Sequence, residues 1–147
     1  MLNREKCNRC VTQAGVSMIE VLVAVMILSI GLLGLAGLQS AGLTHNQSAN
    51  ARSHASMLAY GLLDSMRANK MVAEQGAYDI GLGAASSEGS TMTSQDINNW
   101  LNELATSLPA GTGSVVTDGS GRVTITIQWD DSRGALPAQQ FAMTTQL

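Results

Sequence analysis

The chain has 147 residues, a length that suits one small domain beside a long helix and leaves no room for a large catalytic core. Aromatic residues make up only 3% of it, so a core has to be built from aliphatic side chains and Met. The net charge of −3 excludes a broad basic surface for nucleic acid.

The first 15 residues form a short basic leader, in which Arg4, Lys6 and Arg9 outnumber Glu5. Basic residues on one flank of a first membrane span hold that flank in the cytoplasm. The leader therefore predicts a cytoplasmic N-terminus.

Both cysteines of the chain, Cys7 and Cys10, lie in this leader. Their spacing is that of metal or redox pairs, but such sites need two further ligands or a thioredoxin-like βαβ context, and neither is nearby in the sequence. We therefore assign the pair no function. The part of the chain after the leader can form no disulfide.

An uncharged apolar run over residues 21–38 follows directly after a lone carboxylate, Glu20. Residues 16–38 are long enough to cross a hydrocarbon core of about 30 Å. A carboxylate deep in lipid costs on the order of 2.5–3.5 kcal/mol, so a Glu at this place needs a partner. A secretory signal peptide, with an apolar stretch of about 7–15 residues, and a simple signal anchor are the alternatives. The longer run and its interruption by Glu20 disfavour both.

The hexapeptide Gly15-Val16-Ser17-Met18-Ile19-Glu20, with the basic leader before it and the apolar run after it, resembles the processing site of type IV pilins and of the related type II secretion pseudopilins. The resemblance implies that prepilin peptidase cleaves after Gly15 and N-methylates Val16. It also implies that Glu20 pairs with the N-terminal amine of a neighbouring subunit during filament assembly.

No proline occurs between Val16 and Met71, which favours one continuous helix about 80 Å long. Residues 16–38 are predicted to form its transmembrane or filament-core part and residues 39–71 an amphipathic continuation. The amphipathic pattern consists of apolar residues at three- and four-residue steps: Ala55, Leu58, Leu62 and Met66.

Three glycines, Gly31, Gly34 and Gly37, recur at every third position of the apolar run. Small residues allow helices to pack closely in a membrane. The resemblance to pilins suggests instead that the helix loosens here when a subunit enters the filament. Both alternatives stay open.

Residues 72–93 are predicted to be a loop, because Gly, Ser and Ala dominate the stretch from Gly76 to Thr91. A helix is predicted over residues 95–107, with a possible Thr93/Asp96 capping box at its start and Pro109 after its end. One face of this helix is apolar and consists of Ile97, Trp100, Leu101, Leu104 and Leu108.

Alternating apolar residues predict strands at about residues 114–117, 122–129 and 140–146. In the second strand the apolar face consists of Val123, Ile125, Ile127 and Trp129. The expected fold class is α+β: a long N-terminal pilin helix packed on a small antiparallel β-meander with one extra short helix. Residues 94–147 would form the head, and loops 76–91 and 130–137 would carry its contacts.

Catalysis and metal binding find little support in the sequence. His45 and His54 are nine residues apart rather than four, and no nucleophile–base grouping is evident in the head. Asp118, Asp130 and Asp131 lack the clustered oxygen ligands of a calcium loop, so turn formation and solubility are favoured. We predict no catalytic residue, no metal site and no cofactor, with a membrane-anchored enzyme domain as a remote alternative.

The resemblance further implies a minor type IV pilin that helps to initiate pilus assembly and sits at or near the pilus tip. Its expected partners are prepilin peptidase, other minor pilins, the major pilin, a tip adhesin-like protein and the inner-membrane assembly platform. The chain would cross the inner membrane once, with its head in the periplasm, and then enter the pilus at the cell surface. A minor pseudopilin of type II secretion is the alternative. Whether the pilus serves twitching, adhesion or DNA uptake stays open.

Overall fold

The computed structural model describes residues 15–85 and 89–147. The leader up to residue 14, including Cys7 and Cys10, and residues 86–88 of the predicted loop lie outside the described residues. The elements in chain order are α1 (Met18–Ala68), α2 (Lys70–Ala73), α3 (Met92–Ser107), β1 (Thr112–Thr117), β2 (Arg122–Trp129) and β3 (Gln139–Gln146). This confirms the α+β class with a long N-terminal helix and a small antiparallel sheet.

The chain divides into two compact units, with the boundary between Leu43 and Thr44. The first unit contains the N-terminal part of α1. The most apolar 18-residue stretch of α1 has a mean hydropathy of 2.7 and is 0% buried. The helix is therefore long and apolar enough to cross a membrane. This part of the helix is compatible with a membrane anchor.

From Thr44 onward α1 belongs to the second unit and is amphipathic. Ala55, Leu62 and Met66 are buried in its core, and Leu58 packs against that core. This confirms the predicted inner face of the helix.

Helix α3 begins at Met92 rather than near residue 95. Its N-cap is Thr91, whose hydroxyl accepts a hydrogen bond from the Ser94 backbone N–H at 3.3 Å. Thr93 therefore lies inside the first turn, and the predicted Thr93/Asp96 capping box is wrong. The sequence is ambiguous here because two threonines, each able to cap, lie two residues apart.

The end of α3 follows from the proline beyond it. Leu108 is the C-cap and has extended backbone angles, φ −124° and ψ 136°. A residue that precedes proline is pushed out of the helical region by the proline ring. Leu108 is nevertheless buried, so the chain leaves the helix while still packed against the core.

The sheet has the order β1-β2-β3, and both pairings are antiparallel. Strand β2 lies in the centre and buries alternate side chains. Its inward residues are at most 1% exposed and are the four that the alternation predicts: Val123, Ile125, Ile127 and Trp129.

Strand β1 begins at Thr112, earlier than the predicted start near residue 114, and so includes Gly113. A Cβ at Gly113 would clash with the side chains of Trp100 and Leu104, so α3 packs directly on the strand backbone at this point. Glycine weakens a strand pattern, which is why the sequence does not indicate this start.

Candidate functional site: the start of α1

The predicted cleavage bond lies just before α1. Gly15, Val16 and Ser17 are non-helical, and the helix begins at Met18. The Ser17 hydroxyl accepts a hydrogen bond from the Glu20 backbone N–H at 3.3 Å, and the Ser17 carbonyl accepts from the same N–H at 3.1 Å. Ser17 therefore caps the helix. The Gly15–Val16 bond consequently lies on a segment free of helical hydrogen bonds, which is the kind of backbone that peptidases reach.

Glu20 lies in the first turn of α1 and is exposed. The partial positive charge of a helix N-terminus favours a carboxylate at this place. The Ser17/Glu20 spacing is also that of a capping box, in which a Glu side chain accepts a hydrogen bond from the N–H of the capping residue.

The surroundings of Glu20 are apolar. Its neighbours Ile19 and Val21 are 70% and 52% exposed. No other Asp, Glu, Lys or Arg occurs between Gly15 and Ala51. The carboxylate therefore has no opposite charge nearby along the helix, and its pairing with another subunit stays a prediction.

Gly31, Gly34 and Gly37 lie on exposed positions of α1. A Cβ at any of them would meet no atom within 4 Å. No contact among residues 15–85 and 89–147 therefore requires their small size. Both alternatives, packing against a second helix and loosening of α1, remain predictions.

In the head, Asp118 organises the turn between β1 and β2. Its Oδ1 accepts hydrogen bonds from the Ser120 hydroxyl at 2.6 Å, the Ser120 N–H at 2.9 Å and the Arg122 N–H at 2.9 Å. These bonds, the one from the Ser120 hydroxyl above all, hold the pKa of Asp118 below its usual range.

Asp130 does the same in the loop between β2 and β3. Its Oδ1 accepts from the Ser132 hydroxyl and N–H, both at 2.8 Å, and its Oδ2 accepts from the Gly134 N–H at 2.6 Å. The Ser132 hydroxyl is the main cause that lowers the pKa of Asp130. Both carboxylates thus stabilise turns. This is the role that the sequence favours for them over calcium binding. Within residues 15–85 and 89–147 no group of three or more His, Cys, Asp or Glu could hold a metal.

A groove of about 440 Å³ lies between α1 and α3 in the second unit. The residues that line it are Met57, Leu58, Gly61, Leu62, Ser65, Asp96, Asn99, Trp100 and Glu103. The titratable side chains in this lining are the carboxylates Asp96 and Glu103, and Asp96 accepts a hydrogen bond from the Tyr78 hydroxyl at 2.7 Å.

Sequence reasoning missed one organising residue, Tyr78. Its ring is fully buried, its hydroxyl donates to Asp96 at 2.7 Å, and it accepts from the Asn69 side chain at 3.3 Å. Burial, and then the bond to Asp96, raise the pKa of Tyr78. The predicted loop thus ties the end of α1 to α3. A single aromatic residue in a Gly- and Ala-rich stretch is the one sequence signal that could have revealed it.

A model of the prokaryotic N-terminal methylation motif matches residues 11–36. The matched segment includes the Gly15–Val16 bond, Glu20 and most of the apolar run, and it ends before the head. Comparison with curated proteins and with solved structures gave no match.

The motif supports a type IV pilin-like or pseudopilin-like protein, and the α+β architecture is that of this class. Proteins with this motif are generally structural subunits rather than enzymes.

Proposed function

We propose that the chain is a minor type IV pilin, a structural subunit that helps to initiate pilus assembly and lies at or near the pilus tip. The observation that carries the proposal is the methylation motif, in which the lone Glu20 precedes an apolar helix that leads into a small α+β head. Such a chain has the parts of a filament subunit: a processing signal, a helix for the membrane and the filament core, and a head for contacts.

In this proposal the basic leader holds the N-terminus in the cytoplasm, where prepilin peptidase cleaves after Gly15 and N-methylates Val16. The new N-terminal ammonium then pairs with Glu20 of a neighbouring subunit. An unpaired carboxylate is heavily penalised in an apolar filament core, whereas a matched ion pair is tolerated and fixes the register of the subunits.

Similarity beyond the motif favours a minor pilin of the PilV type. The segments that resemble PilV are residues 21–24, 30–39, 62–68 and 123–129, together with the Trp100 helix that ends at Leu108-Pro109. Each segment is weak alone and specific only in combination. The resemblance supports the proposed partners: other minor pilins, the major pilin, a tip adhesin-like protein and the assembly platform.

A minor pseudopilin of type II secretion is the second candidate, because the same motif, long helix and small head support it equally. A strain that lacks the gene for this chain distinguishes the minor pilin from the minor pseudopilin. We expect fewer surface pili by electron microscopy and unchanged export of type II substrates. Normal piliation with a loss of export would instead establish the pseudopilin.

Complementation of the deletion strain tests whether piliation depends on cleavage at the Gly15–Val16 bond. The wild-type chain and a Val16→Phe variant, which keeps Gly15 and places a commoner residue after it, should restore piliation. Gly15→Val should not, because it removes the glycine after which the peptidase cleaves. Restoration by Gly15→Val would contradict the proposed processing.

A further inference from the structure

The groove between α1 and α3 in the second unit has two helical walls. Its α1 wall extends from Met57 to Ser65 and its α3 wall from Asp96 to Glu103. The lining residues recur every three to four positions, so each wall is one face of its helix. At a rise of about 1.5 Å per residue the walls are about 10–12 Å long. A groove of this shape suits a third helix that lies along it.

Gly61 leaves space in the α1 wall that no other part of the described chain uses. It lies inside a helix, where glycine is less favourable than alanine. A Cβ at this position would meet no atom within 4 Å, so no contact among residues 15–85 and 89–147 requires glycine here. Glycine allows another backbone to approach closely. Met57, one turn earlier on the same wall, is 60% exposed, so the free space adjoins an uncovered apolar side chain.

The charged residues of the groove are two carboxylates, Asp96 and Glu103, and no Lys, Arg or His lines it. The Tyr78 hydroxyl donates to Asp96 at 2.7 Å and so fixes the position of that carboxylate. Neither Asp96 nor Glu103 forms an ion pair within residues 15–85 and 89–147. A carboxylate that is covered without an opposite charge is penalised. A partner that covers the apolar wall therefore has to supply positive charge.

The spacing of the two carboxylates defines where that charge lies. Asp96 and Glu103 are seven positions apart in α3, which is two helical turns and about 10 Å. Two basic residues seven positions apart on a second helix have the same separation.

We propose that the groove binds an amphipathic helix of a partner protein. The apolar face of that helix would cover Met57 and pack over Gly61, and two basic side chains seven positions apart would pair with Asp96 and Glu103. The proposal depends on the second unit alone and holds whether the chain is a minor pilin or a minor pseudopilin.

A second copy of the chain does not have the required charge pattern. No two of its 8 basic residues are seven positions apart in the sequence. Helix α3 has no basic residue at all. Arg67 and Lys70, near the end of the long helix, are three positions apart and already pair with Asp64 and Glu74 at 3.5 and 3.6 Å. The sequence therefore favours a different protein as the partner.

The test uses the full chain in zwitterionic detergent micelles and a synthetic peptide with capped ends, SAKLAALAQKLAALAQA. The leucines of this peptide form one helix face, and its two lysines, seven positions apart, flank that face. The control peptide, SKALAALAKQLAALAQA, has the same composition but carries its lysines on the opposite face. We expect NMR signals of residues 57–65 and 96–103 to shift on binding, with a Kd about tenfold lower for the first peptide than for the control.

Variants of the chain test the charge of the groove. Glu103→Gln removes one exposed carboxylate and keeps the size of the side chain, so it should weaken binding of the first peptide by about threefold. Glu74→Gln makes the same substitution outside the groove and should leave binding unchanged.

Gly61→Ala tests the space in the α1 wall. It should raise the melting temperature by about 4 °C, because alanine favours a helix more than glycine does. It should nevertheless weaken peptide binding by about tenfold, because the added methyl group occupies the space that the partner helix needs. Gly42→Ala makes the same change elsewhere in α1, where a Cβ also meets nothing within 4 Å, and should leave binding unchanged.

Three results would each overturn the proposal: equal affinity for the two peptides, wild-type affinity in Glu103→Gln, or wild-type affinity in Gly61→Ala. A third peptide, SAKLAALPQKLAALAQA, has a central proline and cannot form a continuous helix, so it should not bind. If it bound as well as the first peptide, the occupant would be an extended basic segment, and the choice of a helix would be overturned.

Discussion

Trp129 ends β2 with its ring inside the core of the head, where it is 1% exposed. Its indole N–H has no hydrogen-bond partner within the described residues. The ring therefore contributes through apolar packing alone. A buried Trp of this kind makes a large share of the contacts in a head that contains few other aromatic residues.

Trp129→Ala should lower the free energy of unfolding by about 3–5 kcal/mol, because it leaves a large cavity. This is a large part of the stability of a small domain. Trp129→Phe is the control: it keeps an aromatic ring, removes the unpaired N–H and should cost much less. Urea unfolding followed by circular dichroism measures both. An unchanged midpoint for Trp129→Ala would mean that the ring is not part of the core.

The two turn carboxylates, Asp118 and Asp130, should contribute a stability that depends on pH. Their pKa values are lowered in the folded chain. Their contribution is therefore fully present above the unfolded value of about 3.9 and is lost as pH falls through the folded values. Carboxyl titration by NMR should give midpoints below about 3.9 for both groups.

Serine variants test the cause of these shifts. Ser120→Ala should raise the pKa of Asp118 toward its ordinary value and leave Asp130 unchanged, and Ser132→Ala should do the reverse. Each turn thereby serves as the control for the other. If either serine variant moved both midpoints, a general change in the fold would be responsible instead of the local hydrogen bond.

At the scale of elements, the contact between α3 and β1 depends on Gly113. Gly113→Ala should destabilise the head by about 1–3 kcal/mol, because the added methyl group would overlap Trp100 and Leu104. Gly119→Ala, at a turn position where a Cβ meets nothing within 4 Å, is the matched control and should be close to neutral. Thermal unfolding compares the two. Equal melting temperatures would show that α3 can shift away from β1 at little cost.

The elements also show what the sequence predicts and what it leaves undetermined. The face of β2 follows from strict alternation, and the inner face of α1 from its three- and four-residue steps, because both patterns are local. Gly113 in β1 and Tyr78 in the core depend on contacts with residues of α3 that lie between about 9 and 18 positions away in the sequence. No local pattern encodes such contacts.

The candidate site shows the same difference between local sequence patterns and contacts that only a structure reveals. The Gly15–Val16 bond and Glu20 can be predicted from the sequence because the N-terminal methylation motif that contains them is a linear pattern. The capping role of Ser17 comes from the structure, although the Ser17/Glu20 spacing already indicates it. The partner of Glu20 would belong to another subunit, so this chain alone does not contain it.

At the scale of the whole molecule, processing should remove residues 1–15 from the assembled chain. Intact-mass analysis should find a species that begins at Val16 and carries one added methyl group. A Gly15→Val chain should keep its leader and serve as the unprocessed control. A mature N-terminus beyond Leu38 would instead establish an ordinary secretory signal peptide.

Assembly should require the charge of Glu20 rather than a capping-box contact at the start of α1, and two substitutions distinguish the two requirements. Glu20→Gln removes the charge and keeps a side chain that suits a capping box, whereas Glu20→Ala removes both.

If Glu20 pairs with the N-terminal amine of a neighbour, both variants should be processed normally, since Gly15 is intact. Both should then fall by about tenfold or more in the sheared filament fraction relative to the membrane fraction, because an ammonium in the filament core would lack its partner. Quantitative immunoblotting of the two fractions measures this ratio. Wild-type assembly of Glu20→Gln together with failure of Glu20→Ala would assign Glu20 to the helix cap, and wild-type assembly of both would remove it from the assembly mechanism.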